Sequence, residues 1–284
     1  MIRSTIVTPW CVLAALLVAA PSSCYAQCSD AGVCVIGKEH DNSGHSFGLS
    51  YNYGSSGKDS TIMIHAIRLE GALHIFENSD VYVGIPYSSQ SGSAGSASGV
   101  GDLTIVWNQI LFRGKGTLRV QGGVKLATGE VNANNLPQAY QSGLGTNDFL
   151  FGASYEIDEL SIAAAYQISM GRSANRITRL KRGDDLMVRA GYMHRKESWT
   201  LGGEVLAIKR LQQSSVLIGT QPETFGELPN SNQLQLNLLG RVSYSLDEHY
   251  VLQTEAAIAL LKRNTNVDGL KRAFTLSLGL SYML

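Results

Sequence analysis

The sequence predicts an all-β protein, a twelve-stranded antiparallel up-and-down transmembrane β-barrel. Three observations lead there. Apolar residues recur every second position in segment after segment of about ten residues, the period of a strand with one greasy face. No run after residue 26 reaches the eighteen or more apolar residues of a membrane helix. Short turns and long polar loops alternate between the segments, as they do in outer-membrane barrels.

Composition agrees. The chain has 284 residues, 16% of them charged, with 30 glycines and 6 prolines. Basic and acidic residues number 23 each, so net charge gives no footprint for nucleic acid.

Residues 1–26 read as a secretory signal peptide. Arg3 supplies the positive start, "CVLAALLVAA" the short apolar core and "CYA" a small-residue cleavage site. Residues 27–43 follow as an N-terminal periplasmic segment. Export places Cys28 and Cys34, in "CSDAGVC", outside the reducing cytosol, and they are expected to close a small disulfide loop. A metal site would need more ligands than this segment supplies.

The barrel is expected over 44–284. Its outward faces run Phe47, Leu49, Tyr51, Tyr53; Ile67, Leu69, Leu73, Ile75; Val81, Val83, Ile85, Tyr87; and Leu103, Ile105, Trp107, Leu111. They continue through Leu118, Val120, Val124; Phe149, Phe151, Tyr155; Leu160, Ile162, Tyr166, Ile168; and Leu186, Val188, Tyr192. The last four are Trp199, Leu201, Val205; Leu234, Leu236, Leu238, Val242; Tyr250, Leu252, Ile258; and Phe274, Leu276, Leu278, Leu280. Short turns fall at 77–79, 113–116, 157–158, 196–197 and 246–248; long loops span 54–61, 88–100, 128–146, 170–182, 209–232 and 261–272. The loop 88–100, "SSQSGSAGSASG" at its core, reads as flexible low-complexity chain.

An even-stranded meander of this kind has both termini at the short-turn end. Eleven-residue strands at roughly 3.3 Å per residue, tilted about 40°, rise roughly 28 Å, enough for the apolar band of such a barrel. A lipid-exposed sheet edge would leave backbone groups unpaired, so the strand at 274–284 must pair with that at 45–53. The outer surface meets outer-membrane lipids, and assembly would involve the barrel-assembly machinery.

The alternate face separates this barrel from a soluble sandwich. It carries Arg68, Glu70, Arg119, Lys125, Arg189, Glu204, Arg241 and Glu255 in mid-strand, which in a closed meander share a lumen. Small residues such as Gly48, Gly84, Gly123 and Ala165, and apolar ones such as Val106, Leu150, Met187 and Leu206, share that face. Twelve strands lie between filled small barrels and open porins. The expected function is a channel or transporter for small molecules, hydrophobic or aromatic ones among them. The alternative is a structural or adhesive barrel with a plugged lumen, and the third reading is an outer-membrane lipid hydrolase.

Nothing points to a cofactor or a resident metal, and no catalytic set emerges. "YQISMGRSANRI" (166–177) faintly resembles the motif of outer-membrane phospholipase A, with Ser173 in the place of the nucleophile, but Gln167 stands where that motif has its histidine and cannot accept the serine proton. "KRGDD" (181–185) contains an Arg-Gly-Asp tripeptide, and its Asp184–Asp185 pair reads as solvated loop carboxylates.

Several segments in order resemble one family. "GVGDLTIVWNQILF" (99–112), "GGVKLATGEVN" (122–132), "GLGTNDFLFGASYE" (143–156), "AAYQIS" (164–169) and "LKRGDDL" (180–186) are similar to the outer-membrane "MetA-pathway of phenol degradation" family of transporters. Ala127 replaces that family's usual proline, and Asn147 interrupts its Gly-Thr segment. The resemblance implies outer-membrane location and movement of small compounds, aromatic ones included; it brings no catalytic residues.

Overall fold

The computed structural model describes residues 44–57, 62–265, 267–270 and 272–284. The signal peptide, the segment 27–43 and the Cys28–Cys34 pairing lie outside the described residues. Fifteen strands occur among the described residues: β1 Ser46–Ser55, β2 Met63–Phe76, β3 Ser79–Gly92, β4 Gly95–Val100, β5 Leu103–Arg113, β6 Thr117–Leu126, β7 Asn147–Ile157 and β8 Leu160–Met170. They continue as β9 Asp185–Lys196, β10 Trp199–Arg210, β11 Ser215–Thr220, β12 Glu223–Glu227, β13 Leu234–Ser245, β14 Tyr250–Leu261 and β15 Phe274–Met283.

These make a closed twelve-stranded barrel. β11 and β12 form a separate hairpin, and β4 with β5 is one stave interrupted at Gly101–Asp102, because the two pair with successive parts of β3. Every neighbour is antiparallel, and the sheet closes between first and last strands, from Ser46 opposite Met283 to Ser55 opposite Phe274. No backbone edge therefore faces lipid.

The side-chain alternation follows the pleat. Leu69, Phe151, Ile162 and Leu278 stand exposed on the outside, while Val106, Leu150, Met187 and Leu206 are buried inside. Tyr155 and Tyr250 are exposed near strand ends, where amphipathic rings suit the membrane interface; Tyr51, Tyr87 and Tyr192 are exposed farther along their strands. Among the described residues no helix is long and apolar enough to cross a membrane; the strands do so.

Two long loops are more regular than the sequence suggests. The 88–100 segment is a tight hairpin, with Ser88 opposite Gly99 and Gly92 opposite Gly95, since its serines alternate and Gly95 supplies a positive φ of 136°. The 209–232 segment holds the β11–β12 hairpin, fastened by Arg172. That guanidinium donates to Ser215 Oγ at 2.9 Å and stacks 3.7 Å from the Phe225 ring.

The Arg-Gly-Asp segment is built into this outer layer. Arg182 is buried and paired with Asp148, while Asp184 accepts from the Tyr166 hydroxyl at 2.9 Å and the Ser169 amide at 3.0 Å. The tripeptide is therefore not displayed for adhesion. Gly183 packs against the neighbouring loop so closely that a Cβ would lie 2.2 Å from the Gln212 carbonyl oxygen. Because both sides are backbone, Gly183→Ala is expected to cost about 1–3 kcal/mol, read as a lower melting temperature by circular dichroism in detergent.

Candidate functional site: the barrel lumen

All eight predicted lumen residues point inward, but they fall into three groups. Arg119, near the short-turn end, pairs with Glu156 at 2.7 Å. Close by, the Asn108 amide donates to Asp80 at 2.5 Å and accepts from Gln121 at 2.7 Å.

Six residues belong to the middle of the barrel. Glu204 bridges Arg189 and Arg241, each at 3.3 Å, and Arg241 also binds Glu255 at 2.9 Å. Across the lumen the Tyr82 hydroxyl donates to Glu70 at 2.8 Å, with Arg68 in the electrostatic reach of Tyr82, Glu70 and Glu255. Gly84 is small for a reason, since a Cβ there would stand 2.5 Å from the Tyr82 hydroxyl. Beside these charges an apolar cluster of Tyr82, Val106, Leu150, Met187, Leu206 and Leu239 runs from β3 and β5 round to β7, β9, β10 and β13.

The third group forms a charged ring beneath the long loops. Lys125 stands 3.1 Å from Asp148 and 3.6 Å from Asp102, and Asp148 is also paired with Arg182. Farther round, Asp185 holds Arg210 at 2.9 Å and Arg263 at 3.2 Å, while Arg210 reaches Asp268 at 2.8 Å. Every member is nearly fully buried, so each charge depends on its partners. Asp185 is thus no solvated loop carboxylate, because its strand-start position turns it into the lumen.

The Asp268 carboxyl lies outside the strands. Burial alone would raise its pKa, but Arg210, Arg263 and Arg182 outweigh burial and hold it well below the usual carboxylate range. A depressed folded-state value adds stability that is complete above the unfolded value, about 3.9, and is lost as pH falls through the folded one. The stability difference between the natural protein and Asp268→Asn should accordingly be constant from pH 7 to 5 and shrink below about pH 4 in detergent melts.

Loop chain closes over this ring. The segment 127–146 turns inward, burying Gln138, Ala139 and Tyr140. Gln138 donates to the Gly143 carbonyl at 2.6 Å and accepts from Ser173 Oγ at 2.6 Å. Ser173 is thus buried among loops, away from lipid, and Gln167 points into the lumen and donates to Asp148 at 2.5 Å. The lipase-like arrangement is absent from this pair. The 127–146 and 262–273 loops meet through Leu144 and Leu270 and through Gly269, whose φ of 73° and close approach to the Ala139 carbonyl exclude a side chain.

Below that junction lies a small cavity of about 60 Å³. It occupies the β1–β6 side of the lumen, between Arg68, Gly84 and Pro86 below and Gln141, Leu144, Leu270 and Arg272 above. Lys125 is one predicted lumen residue on its wall and Arg68 another; Arg119, Glu70, Arg189, Glu204, Arg241 and Glu255 are not.

Sequence reasoning missed Asp102, Asp148, Asp185 and Arg210. Their signal was parity: Asp148 continues Leu150 and Gly152, Asp185 continues Met187 and Arg189, and Arg210 continues Leu206 and Ile208. Arg182, Arg263 and Asp268 sit in loops without a period to reveal them.

No family model matches the chain, and no curated protein does either. Solved structures do. A COG4313 outer-membrane channel from Pseudomonas putida F1 superposes with a TM-score of 0.60 at 14% identity, over 93% of this chain and 99% of that one. The transport unit of the autotransporter AIDA-I from Escherichia coli gives 0.51 at 10% identity, over 89% and 94%. The NanC porin gives 0.50 at 10% identity, over 84% and 100%. Identities of this size establish a shared fold and no more. With its closed sheet, apolar belt and charged interior, this chain is a twelve-stranded antiparallel β-barrel of the bacterial outer membrane.

Proposed function

We propose that the barrel is a channel or transporter for small molecules, hydrophobic and aromatic ones included, of the kind found in the "MetA-pathway of phenol degradation" family. One observation carries this reading: a closed barrel encloses a cavity with mixed polar and apolar walls, its ceiling made of two interlocked loops. Binding pockets have this mixture, apolar surface for the body of a solute and a few polar groups to orient it. The outer partners are membrane lipids and, during biogenesis, the barrel-assembly machinery; the inner partner is the solute.

The buried ion pairs and the apolar cluster define a narrow interior. Transit then requires the loop ceiling to part, which makes the outer charged ring a gate. The same packing favours the second reading, a structural barrel with a plugged lumen. Planar-bilayer recordings and solute uptake by liposomes separate the two. Discrete conductance steps with uptake of phenol are expected; silence in both assays overturns the channel.

A further inference from the structure

The apolar cluster inside the barrel leaves one sector of the wall bare. Among the described residues it has members from β3 round to β14 and none on β15, β1 or β2. The inner faces of β15 and β1, paired where the sheet closes, carry instead Ser281 opposite Gly48, Gly279 opposite Ser50 and Ser277 opposite Asn52. None of these six is charged or bulky, and all stay partly open to solvent although they point away from lipid. On the far wall, Val106, Leu150, Met187 and Leu206 are completely buried.

Two glycines mark the same contrast. A Cβ on Gly123, in the filled sector, would lie 2.9 Å from the Val106 side chain; on Gly279 it would meet nothing nearer than Ser50 Cβ at 3.4 Å, an ordinary contact. Gly123 is small because a neighbour takes its space, whereas Gly279 faces a gap. Two-residue parity sets the three pairs in one file along the strands. The next pair towards the short turns, Ser46 with Met283, is open in the same way, and Asn52 at the other end also lines the cavity. The file thus runs from the short-turn mouth to the space beneath the loops.

Charge along its borders is balanced. Glu255, opposite Ser277, binds Arg241 at 2.9 Å, and Glu70, opposite Gly48, accepts from the Tyr82 hydroxyl at 2.8 Å. Arg68, opposite Ser50, stands within electrostatic reach of both carboxylates. Inside the file, Asn52 donates to Ser50 Oγ at 3.3 Å. A solute there meets hydroxyls and an amide, groups that both give and accept hydrogen bonds, in a field without a dominant sign.

We propose that this file of small polar residues, at the closure of the sheet and away from the barrel axis, is the solute path, and that it selects small uncharged molecules that carry hydroxyl groups. The assignment rests on the channel reading and gives it a route and a solute class.

The test labels the full folded barrel with methanethiosulfonate ethylsulfonate, the natural chain giving the background. Because thiol reactivity follows access, Ser277→Cys should react at least about tenfold faster than Ala165→Cys in the filled sector. Labelling Ser277→Cys in a planar bilayer should cut the single-channel conductance, and labelling Ala165→Cys should leave it unchanged. Liposomes holding the natural barrel should swell in erythritol, and Gly279→Leu should return them to the protein-free rate; heat-modifiable gel mobility verifies that each variant is folded. In a potassium chloride gradient the reversal potential should lie near zero. Equal reactivity of the two thiols, or a labelled Ser277→Cys that conducts as before, overturns the path and leaves the channel standing. A reversal potential close to the equilibrium value of either ion overturns the uncharged class. A natural barrel silent in both bilayers and liposomes removes the channel and the path with it.

Discussion

Asp185→Asn is expected to destabilise the barrel by about 3–5 kcal/mol, the usual cost of removing one partner from a buried ion network. Asp185 holds both Arg210 and Arg263 where none of the three is exposed to water. Without it, Arg210 is left with Asp268, and Arg263 loses the carboxylate it is paired with. The loop 262–273 carries Arg263 and Asp268, so weakening this ring should loosen the ceiling of the cavity as well as lower the melting temperature. Two measurements check it: thermal unfolding in detergent, and open probability in planar bilayers, which should rise. Glu248→Gln, an exposed short-turn residue, serves as the control and should shift stability by no more than about 0.5 kcal/mol. If Asp185→Asn melts like the control and its current traces are unchanged, the ring does not hold the loops.

Leu278→Arg should be equally severe, for an unrelated reason. Leu278 lies mid-strand on the outer face, half exposed, between Tyr51 and Thr254. In a soluble protein an arginine there would simply meet water. At the bilayer midplane it costs about 2–4 kcal/mol, and near the interface only about 0–1. Leu284→Arg, at the strand end, should therefore be nearly silent. Folding into phospholipid vesicles under urea titration reads both values. Equal stabilities for the two variants would mean that this face does not contact acyl chains.

What could be read from the chain follows from how each feature is encoded. Strand number, the inward set and the Phe274–Leu284 closure are all matters of two-residue parity, and parity is a local property. Once β15 has its apolar residues facing out, the membrane requires the opposite edge of β1 as its partner. Arg68, Glu70, Arg119, Lys125, Arg189, Glu204, Arg241 and Glu255 were legible as inward for the same reason. Their partners were not: Glu204 meets Arg241 across adjacent strands 37 positions apart in the chain, and strand stagger decides which charges share a level.

The loops lay beyond that code altogether. "SSQSGSAGSASG" has the composition of a flexible linker, yet hydrogen bonding to the protruding end of β3 makes it a hairpin. Ser173 and Arg182 looked like surface chemistry; Ser173 is buried under the 127–146 loop, and Arg182 is buried against Asp148 of β7. The sequence by itself determined the cylinder, its greasy outside and its charged inside, since alternation along a strand needs only neighbours to express it. Only the tertiary structure decided where the lumen is filled and where it is hollow, because that depends on side chains from six or more strands and two loops meeting at one height.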